Sequence, residues 1–439
     1  MSMNKHKQFK IGLLGAGTVG AGVFKTLTKD KKSLSRKSAS NYDVSVVCVR
    51  DITKNRNIDF GSTKLTDNPL EIVNSSDIDI VIELIGGIEP AKTLVLTALK
   101  NKKHVVTANK ALIASCGIEL FEEAQKNSVS ILFEASVAGA IPIIKLMSES
   151  FLANNINRIE GIINGTTNYV LSGMEQRGLS LASAVLEAQD RGFAEADPTA
   201  DISGLDAVNK ICILAYLAYG AFIDMNRIYC EGIEEIKVQD IMLAKELGYK
   251  IKHLAIASKD NHNINLRVHP ALLPEEHPLA KIDNEMNAIL TYGDLFEKIL
   301  CSGPGAGAFP TASAVIADVL GILLSQTRGS NLKNLPLLDP SITVEFCIPI
   351  SQYYLRITAH DQAGTLALIT KTLASEGISI EAIIQKAEES EAKHVPIAIV
   401  TSRSSREGID RVCEKLSNKD GILGTVIKYR VENYEKGKS

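Results

Sequence analysis

The sequence predicts an α/β chain in three parts: an N-terminal parallel-sheet domain, an α+β middle domain and a small C-terminal domain of ferredoxin-like order. Three stretches carry that prediction. Near the N-terminus an apolar strand, residues 9–14, runs straight into Gly15-Ala16-Gly17-Thr18-Val19-Gly20 and then a helical pattern through Val23, Phe24 and Leu27. In the middle, residues 205–219 read as a helix apolar nearly all round, preceded by an acidic loop. Beyond residue 351 the pattern becomes strand, helix, strand, strand, helix, strand, which is the βαββαβ order of a split ferredoxin-like motif.

Composition bounds the answer. A chain of 439 residues is too long for one ordinary core, so two or three domains are expected. Apolar residues make up 45% and charged residues 23%, the balance of a soluble globular protein. The formal net charge is -3, with no long basic run beyond a patch near Lys29 to Lys37, which argues against a nucleic-acid partner. Seven scattered cysteines without a C-x-x-C pair read as reduced thiols and not as a zinc site. The start, MSMNKHKQFK, lacks the apolar core of a signal peptide, and apolar runs of about 18 residues are broken by charges, Gly or Pro. No membrane contact and a cytoplasmic location are the expectation.

In a strand-to-helix context the glycine run Gly15 to Gly20 marks a Rossmann dinucleotide site. Its glycines allow a tight turn and let a pyrophosphate approach the backbone at a helix N-terminus. The second strand, residues 44–49, ends at Arg50-Asp51, followed by Lys54 and Arg56. Three cations favour the 2′-phosphate of NADP(H), while Asp51 keeps NAD(H) open through a ribose hydroxyl, and Arg50 also reads as a plain surface charge. Strands follow at 79–84 and from 104, a helix between them at 90–99, and Gly86, Thr107, Asn109 and Lys110 fall at the strand ends where ligands of such sheets lie. A strand at 130–133 leads into the small-residue run Glu134 to Pro142, where Glu134 and neighbouring carbonyls offer oxygen to a hard cation.

A second domain is expected over residues 143–310. Its strand 156–163 enters the polar turn Asn164-Gly165-Thr166-Thr167-Asn168, which reads either as a carboxylate-binding turn or as a simple helix cap. Then comes the stretch on which the chemistry is expected to turn, RGFAEADPTADISGLDAVNK, residues 191–210. Glu195, Asp197, Asp201 and Asp206 precede or enter the apolar helix together with Lys210. Asp206 and Lys210 share one face at i,i+4, and a buried charge must be paired, hydrogen-bonded or used by a ligand. A structural ion pair is the plain alternative. Strands are expected at 252–258, 264–270, 288–292 and 298–301, with helical residues at 283–286. A second glycine-rich turn, Ser302 to Gly307, leads into a helix at 311–325 that returns to the first domain, residues 1–142. A linker at 326–350 precedes the C-terminal domain, 351–433.

Six motifs in order give the chain a family resemblance: GAGTVG at Gly15, VTANKA at Val106, EASVAGAIP at Glu134, NGTTNY at Asn164, GFAEADPTADISGLDAVNK at Gly192 and GPGAG at Gly303. The chain resembles homoserine dehydrogenases of the form that carries a C-terminal ACT domain. The resemblance implies reduction of aspartate 4-semialdehyde to homoserine by NAD(P)H, with the middle domain serving catalysis and dimerisation. It implies Lys210 as proton donor, Lys110 as a second lysine by nicotinamide and substrate, and Glu195 and Asp206 as carboxylates on the substrate ammonium. Asp201, Asn164 and Thr166 are expected to line the same pocket. Gly15, Ala16, Gly17, Thr18, Val19, Gly20, Arg50, Gly86, Thr107, Lys110 and Gly303 are expected around the cofactor. Glu134, with the carbonyls of Val137, Gly139 and Ile141, resembles a monovalent cation site, taken as sodium. His360 to Gly364 resembles the ligand turn of an ACT module, for which threonine is the expected effector, in a homodimer or homotetramer whose ACT sheets pair between chains.

A chain ended near Ser351 is then expected to keep homoserine oxidation and lose the response to threonine. Alternatives are an ACT module that only holds subunits together, a phosphorylating semialdehyde dehydrogenase, for which no cysteine sits in a nucleophile motif, and a non-catalytic regulator on a Rossmann fold.

Overall fold

Two sheets organise the chain, seen in a computed structural model that describes residues 8–261, 263–329, 343–344, 349–386 and 394–433. The first sheet contains β1 (Gln8–Leu14), β2 (Asn41–Cys48), β3 (Lys64–Thr66), β4 (Ile80–Glu83), β5 (His104–Thr107) and β6 (Ile131–Leu132), in the order β3-β2-β1-β4-β5-β6 and all parallel. Its central strands are buried on both faces, as helices on either side of a parallel sheet require. The order reverses beside β1, so its carboxyl end and that of β4 frame a crevice.

The return predicted after the second glycine turn is present. Helix Ala308–Arg328 packs along helix Thr18–Lys29, and its buried face of Ala312, Val315, Val319, Ile322 and Leu323 joins the core of the first sheet. It is the one helix among the described residues long and apolar enough to span a membrane, but half of its apolar window is buried in this contact. Close approach depends on Gly22, where a Cβ would meet the Ala308 carbonyl oxygen at 3.1 Å and the Ala312 Cβ at 3.4 Å.

The second sheet contains β7 (Ile156–Ile162), β8 (Tyr229–Cys230), β9 (Tyr249–Asp260), β10 (Asn263–Pro274), β11 (Met286–Gly293), β12 (Glu297–Pro304), β13 (Thr343–Val344), β14 (Gln352–His360), β15 (Ile380–Gln385), β16 (His394–Thr401) and β17 (Ile427–Val431). Its order is β12-β11-β7-β9-β10-β17-β14-β16-β15, with β8 and β13 beside β10. The four strands β17-β14-β16-β15 form the ferredoxin-like sheet, carrying helices Thr365–Ser375 and Arg406–Ser417.

Two expectations need correction. Residues 283–286 are not helical: Asn284 adopts a left-handed φ of 57°, a single-residue turn conformation that stops a helix, and β11 begins at Met286. The expected linker starts later, because the helix continues to Arg328 before its glycine cap; residues 330–342 and 345–348 lie outside the described residues. The ferredoxin-like sheet is also joined to the catalytic strands. Strand β17 pairs in parallel with β10 through Ala271↔Arg430 and Leu272↔Val431, so one edge is used inside the chain. Periodicity could foresee the strands but not this join.

Replacing Gly22 by Leu should push the two helices apart, at a cost of about 1–3 kcal/mol for overpacking. Thermal unfolding reads this directly, and an unchanged midpoint would show that the contact is not tight.

Candidate active site

The end of β1 turns sharply at Gly15, whose φ of 99° suits glycine, and its amide donates to the Cys48 carbonyl on β2. A Cβ at Gly20 would lie 2.1 Å from the Gly15 carbonyl oxygen, so the turn and the helix start require each other. Gly17 is the N-cap and brings no side chain to the helix amides; a Cβ there would meet nothing within 4 Å. Ala16 is buried behind the turn, while Gly17 and Thr18 are exposed and Val19 is half-buried. This open backbone at a helix N-terminus fits a pyrophosphate.

Around it, Arg50 is exposed just past β2, and Asp51 is occupied by its own turn, its Oδ1 accepting from Thr53 N at 2.8 Å and Thr53 Oγ1 at 2.6 Å. Those hydrogen bonds hold the Asp51 carboxyl below its usual range. Glu83, which sequence reasoning did not single out, organises the ends of β4 and β5. It accepts from the amides of Ile85 and Gly86 and from Thr107 Oγ1 at 2.5 Å, while Asn109 donates to the Gly87 carbonyl at 2.6 Å. Asn109 Oδ1 also caps helix Lys110–Lys126, placing Lys110 at its first position.

From there Lys110 reaches Asp206 on the buried apolar helix of the second domain. Its Nζ lies 2.5 Å from Asp206 Oδ1, and Lys210 Nζ lies 2.6 Å from Asp206 Oδ2. The helix bearing both residues, Leu205–Tyr219, is buried along most of its length, as its composition predicted. Lys210 donates also to the Ile163 carbonyl at 2.7 Å, just past β7. Asn164 is a helix cap, Oδ1 capping helix Gly165–Arg177, and its Nδ2 donates to the protein's own Asp201 at 2.7 Å and Asp206 at 2.8 Å. Thr166 donates to the Phe193 carbonyl at 2.6 Å, tethering the acidic loop.

The two lysines titrate in opposite directions. Burial drives Lys210 down, and the Asp206 charge opposes this only in part. Burial also pulls on the half-exposed Lys110, but Asp206, with Asp201 and Glu195 behind it, outweighs burial and raises it. Burial alone would raise Asp206; the two lysines overcome it and hold the carboxyl well below its usual range. Burial keeps Asp201 raised. Glu195 stands exposed on the loop in front, with Asp197 turned back to Thr199.

The loop after β6 packs on the second glycine turn, Ala140 N donating to the Pro304 carbonyl at 3.1 Å. Gly303 lies in β12 opposite Asn287, whose buried side-chain amide has no hydrogen-bond partner among the described residues and would be struck at 2.0 Å by a Cβ on Gly305. The Glu134 carboxylate is spent on the amides of Ile144 (2.9 Å) and Lys145 (3.0 Å). Burial and then Asp318 push its pKa up to about 7. Among the described residues, no cluster of three or more His, Cys, Asp or Glu is suited to a metal. Any cation here would therefore rest on main-chain oxygens.

A glycine-cradled phosphate turn at the end of β1, with a Lys–Asp–Lys centre built from helices Lys110–Lys126 and Leu205–Tyr219, defines an NAD(P)-dependent oxidoreductase. Family comparison matches residues 15–134 to "Homoserine dehydrogenase, NAD binding domain", 142–320 to "Homoserine dehydrogenase" and 353–418 to "ACT domain". The homoserine dehydrogenase of Pseudomonas aeruginosa is 40% identical over 97% of this chain and 99% of its own, and that of Neisseria gonorrhoeae 44% identical over 87% and 88%. The crystal structure of a homoserine dehydrogenase from Thiobacillus denitrificans superposes with a TM-score of 0.90 at 40% identity, covering 98% of this chain and 99% of that one. The chain belongs to the homoserine dehydrogenase family and acts on a CH–OH group with a nicotinamide cofactor.

Because Asp206 has a depressed pKa, its stabilising contribution is complete above the usual aspartate value and is lost as pH falls below it. Asp206→Asn leaves Lys210 buried without its counter-charge and should cost roughly 3–5 kcal/mol near neutral pH. The difference from wild type should shrink below about pH 4. Urea unfolding across pH measures both; a difference independent of pH would contradict the assignment.

Proposed function

We propose that the enzyme reduces L-aspartate 4-semialdehyde reversibly to L-homoserine, on the route to threonine, methionine and isoleucine, with NADPH favoured over NADH. The observation that carries this reading is Asp206, held between Lys110 of one helix and Lys210 of its own, with Lys210 lowered and Lys110 raised in pKa. The turn Gly15 to Gly20, with Gly86, Thr107, Lys110 and Gly303, would hold the reduced nicotinamide, which when bound would supply a hydride to the aldehyde carbon. Lys210 donates a proton to the oxygen that gains charge, a proton from solvent then restores the Lys210 ammonium, and Asp206 stabilises that charge. Glu195 and Asp201 face the substrate ammonium beside Lys110, and the N-terminus of helix Gly165–Arg177, with Asn164 and Thr166, takes its carboxylate. The carbonyls of Val137, Gly139 and Ile141, beside a Glu134 whose carboxylate is spent on the amides of Ile144 and Lys145, suit sodium better than a divalent ion, since neutral oxygens bring little charge; Ala138 and Gly139 are both left-handed, with φ of 54° and 50°.

Purified protein should oxidise NADPH with aspartate semialdehyde and no phosphate; a phosphate requirement would favour the phosphorylating alternative. Lys210→Ala should lower turnover by roughly 10²–10⁴ with the fold retained. The alkaline limb of the wild-type rate profile should fall below the ordinary lysine range. Asp206→Asn should move it lower still, because Asp206 is what holds the proton on Lys210. Normal turnover of Lys210→Ala would rule the mechanism out.

The exposed Arg50, beside an Asp51 already satisfied by its own turn, supports the NADPH preference. Arg50→Ala should raise the KM for NADPH well above that for NADH, whereas equal changes would show that Arg50 does not read the 2′-phosphate.

The ACT domain supports feedback by an end product, threonine first, in an oligomer of at least two chains. Inhibition of full-length enzyme at millimolar threonine is the expected outcome; indifference to threonine and related amino acids would leave the domain a structural role.

A further inference from the structure

A second cluster of buried charge lies along the join between the catalytic strands and the ACT sheet. Arg158, on β7, donates from Nε to Glu160 at 2.6 Å and from Nη2 to Glu432 at 2.7 Å. Arg267, on β10, donates to the same Glu432 from Nε at 3.1 Å and from Nη2 at 2.9 and 3.1 Å. His269 Nε2 lies 3.5 Å from Glu432 as well. Glu432 immediately follows β17, its amide donates to the Leu272 carbonyl at 3.0 Å, and its side chain is 6% exposed. One carboxylate from the far end of the chain thus touches two interior arginines, and for Arg267 it is the ion-pair partner among the described residues.

Strand β7 leads from Arg158 directly to the active site. Five residues on, roughly 17 Å along an extended chain, the Ile163 carbonyl accepts from Lys210, and the next residue, Asn164, holds Asp201 and Asp206. We propose that Glu432 is a positioning residue for Lys210: by neutralising Arg158 and Arg267 it fixes β7, and with it the Ile163 carbonyl and Asn164 amide that hold the lysine and its aspartate. The inference rests on the reading of Lys210 as proton donor. It makes the end of the ACT domain part of the support of the catalytic centre, and an effector that moves β17 would act through this carboxylate. It also reverses the expectation for a chain ended near Ser351. Such a chain lacks Glu432 and leaves β10 without its β17 neighbour, so it should lose homoserine oxidation together with any response to threonine.

The test uses the full-length enzyme. Glu432→Gln keeps the shape and removes the charge. Turnover per folded enzyme should fall roughly 10–100-fold, the scale of misplacement by up to an ångström, with the KM for NADPH unchanged because the cofactor turn belongs to the other sheet. In a Lys210→Ala background the same change should have no further effect on turnover, since the group being positioned is gone. Glu432→Asp, which keeps the charge, should recover part of the loss, and it carries the comparison if Glu432→Gln does not fold. A lower melting temperature with unchanged turnover, or an equal fold-loss with and without Lys210, would overturn the proposal and leave Glu432 a purely structural ion pair. Normal turnover of Lys210→Ala on its own would instead sink the proton-donor reading, before Glu432 is altered at all.

Discussion

Asp206 is the constraint on which the catalytic centre depends. It is one carboxylate, 5% exposed, bonded to a lysine from its own helix and to another at the start of helix Lys110–Lys126. A carboxylate so deep in the protein would ordinarily be driven to protonate. Two ammonium groups within hydrogen-bonding distance reverse that, and the same contacts fix how the two sheets face each other across the site. The geometry separates the lysines chemically: Lys210, nearly enclosed, has its proton loosened, while Lys110, closer to water and to more acids, keeps its own. An acid and a fixed positive charge thus arise from two identical side chains through their surroundings alone.

Around this centre the fold repeats one device, a buried acid that ties an active-site segment to a distant one. Glu83 joins the ends of β4 and β5, Glu134 holds the amides after Pro142, and Asp318 accepts from Glu134 N at 2.8 Å while pairing with Lys145 at 3.1 Å. Ion pairs so buried add little net stability once desolvation is counted, but breaking one is costly, so they specify geometry more than they strengthen the fold. The seam with the ACT sheet follows the same rule, through Arg356–Asp240 at 2.5 Å and the arginines that meet Glu432.

Much of this was legible in the sequence because it is local. The glycine turn, the buried helix Leu205–Tyr219, the i,i+4 pairing of Asp206 with Lys210 and the βαββαβ order all follow from spacing and periodicity within a few tens of residues. What sequence alone determined was therefore most of the elements and, through six motifs, the family. Only the tertiary structure decided that Lys110 and Lys210 share one aspartate, Asp206, that Asn164 both caps its helix and bridges two aspartates, that Glu83 ties the ends of β4 and β5, and that Glu432 closes a charge cluster with Arg158, 274 residues earlier. The physical reason is the same in each case. A carboxylate, an amide or an arginine carries no local pattern that says where it will be buried, and which partner neutralises it is settled only when strands distant in sequence are laid side by side.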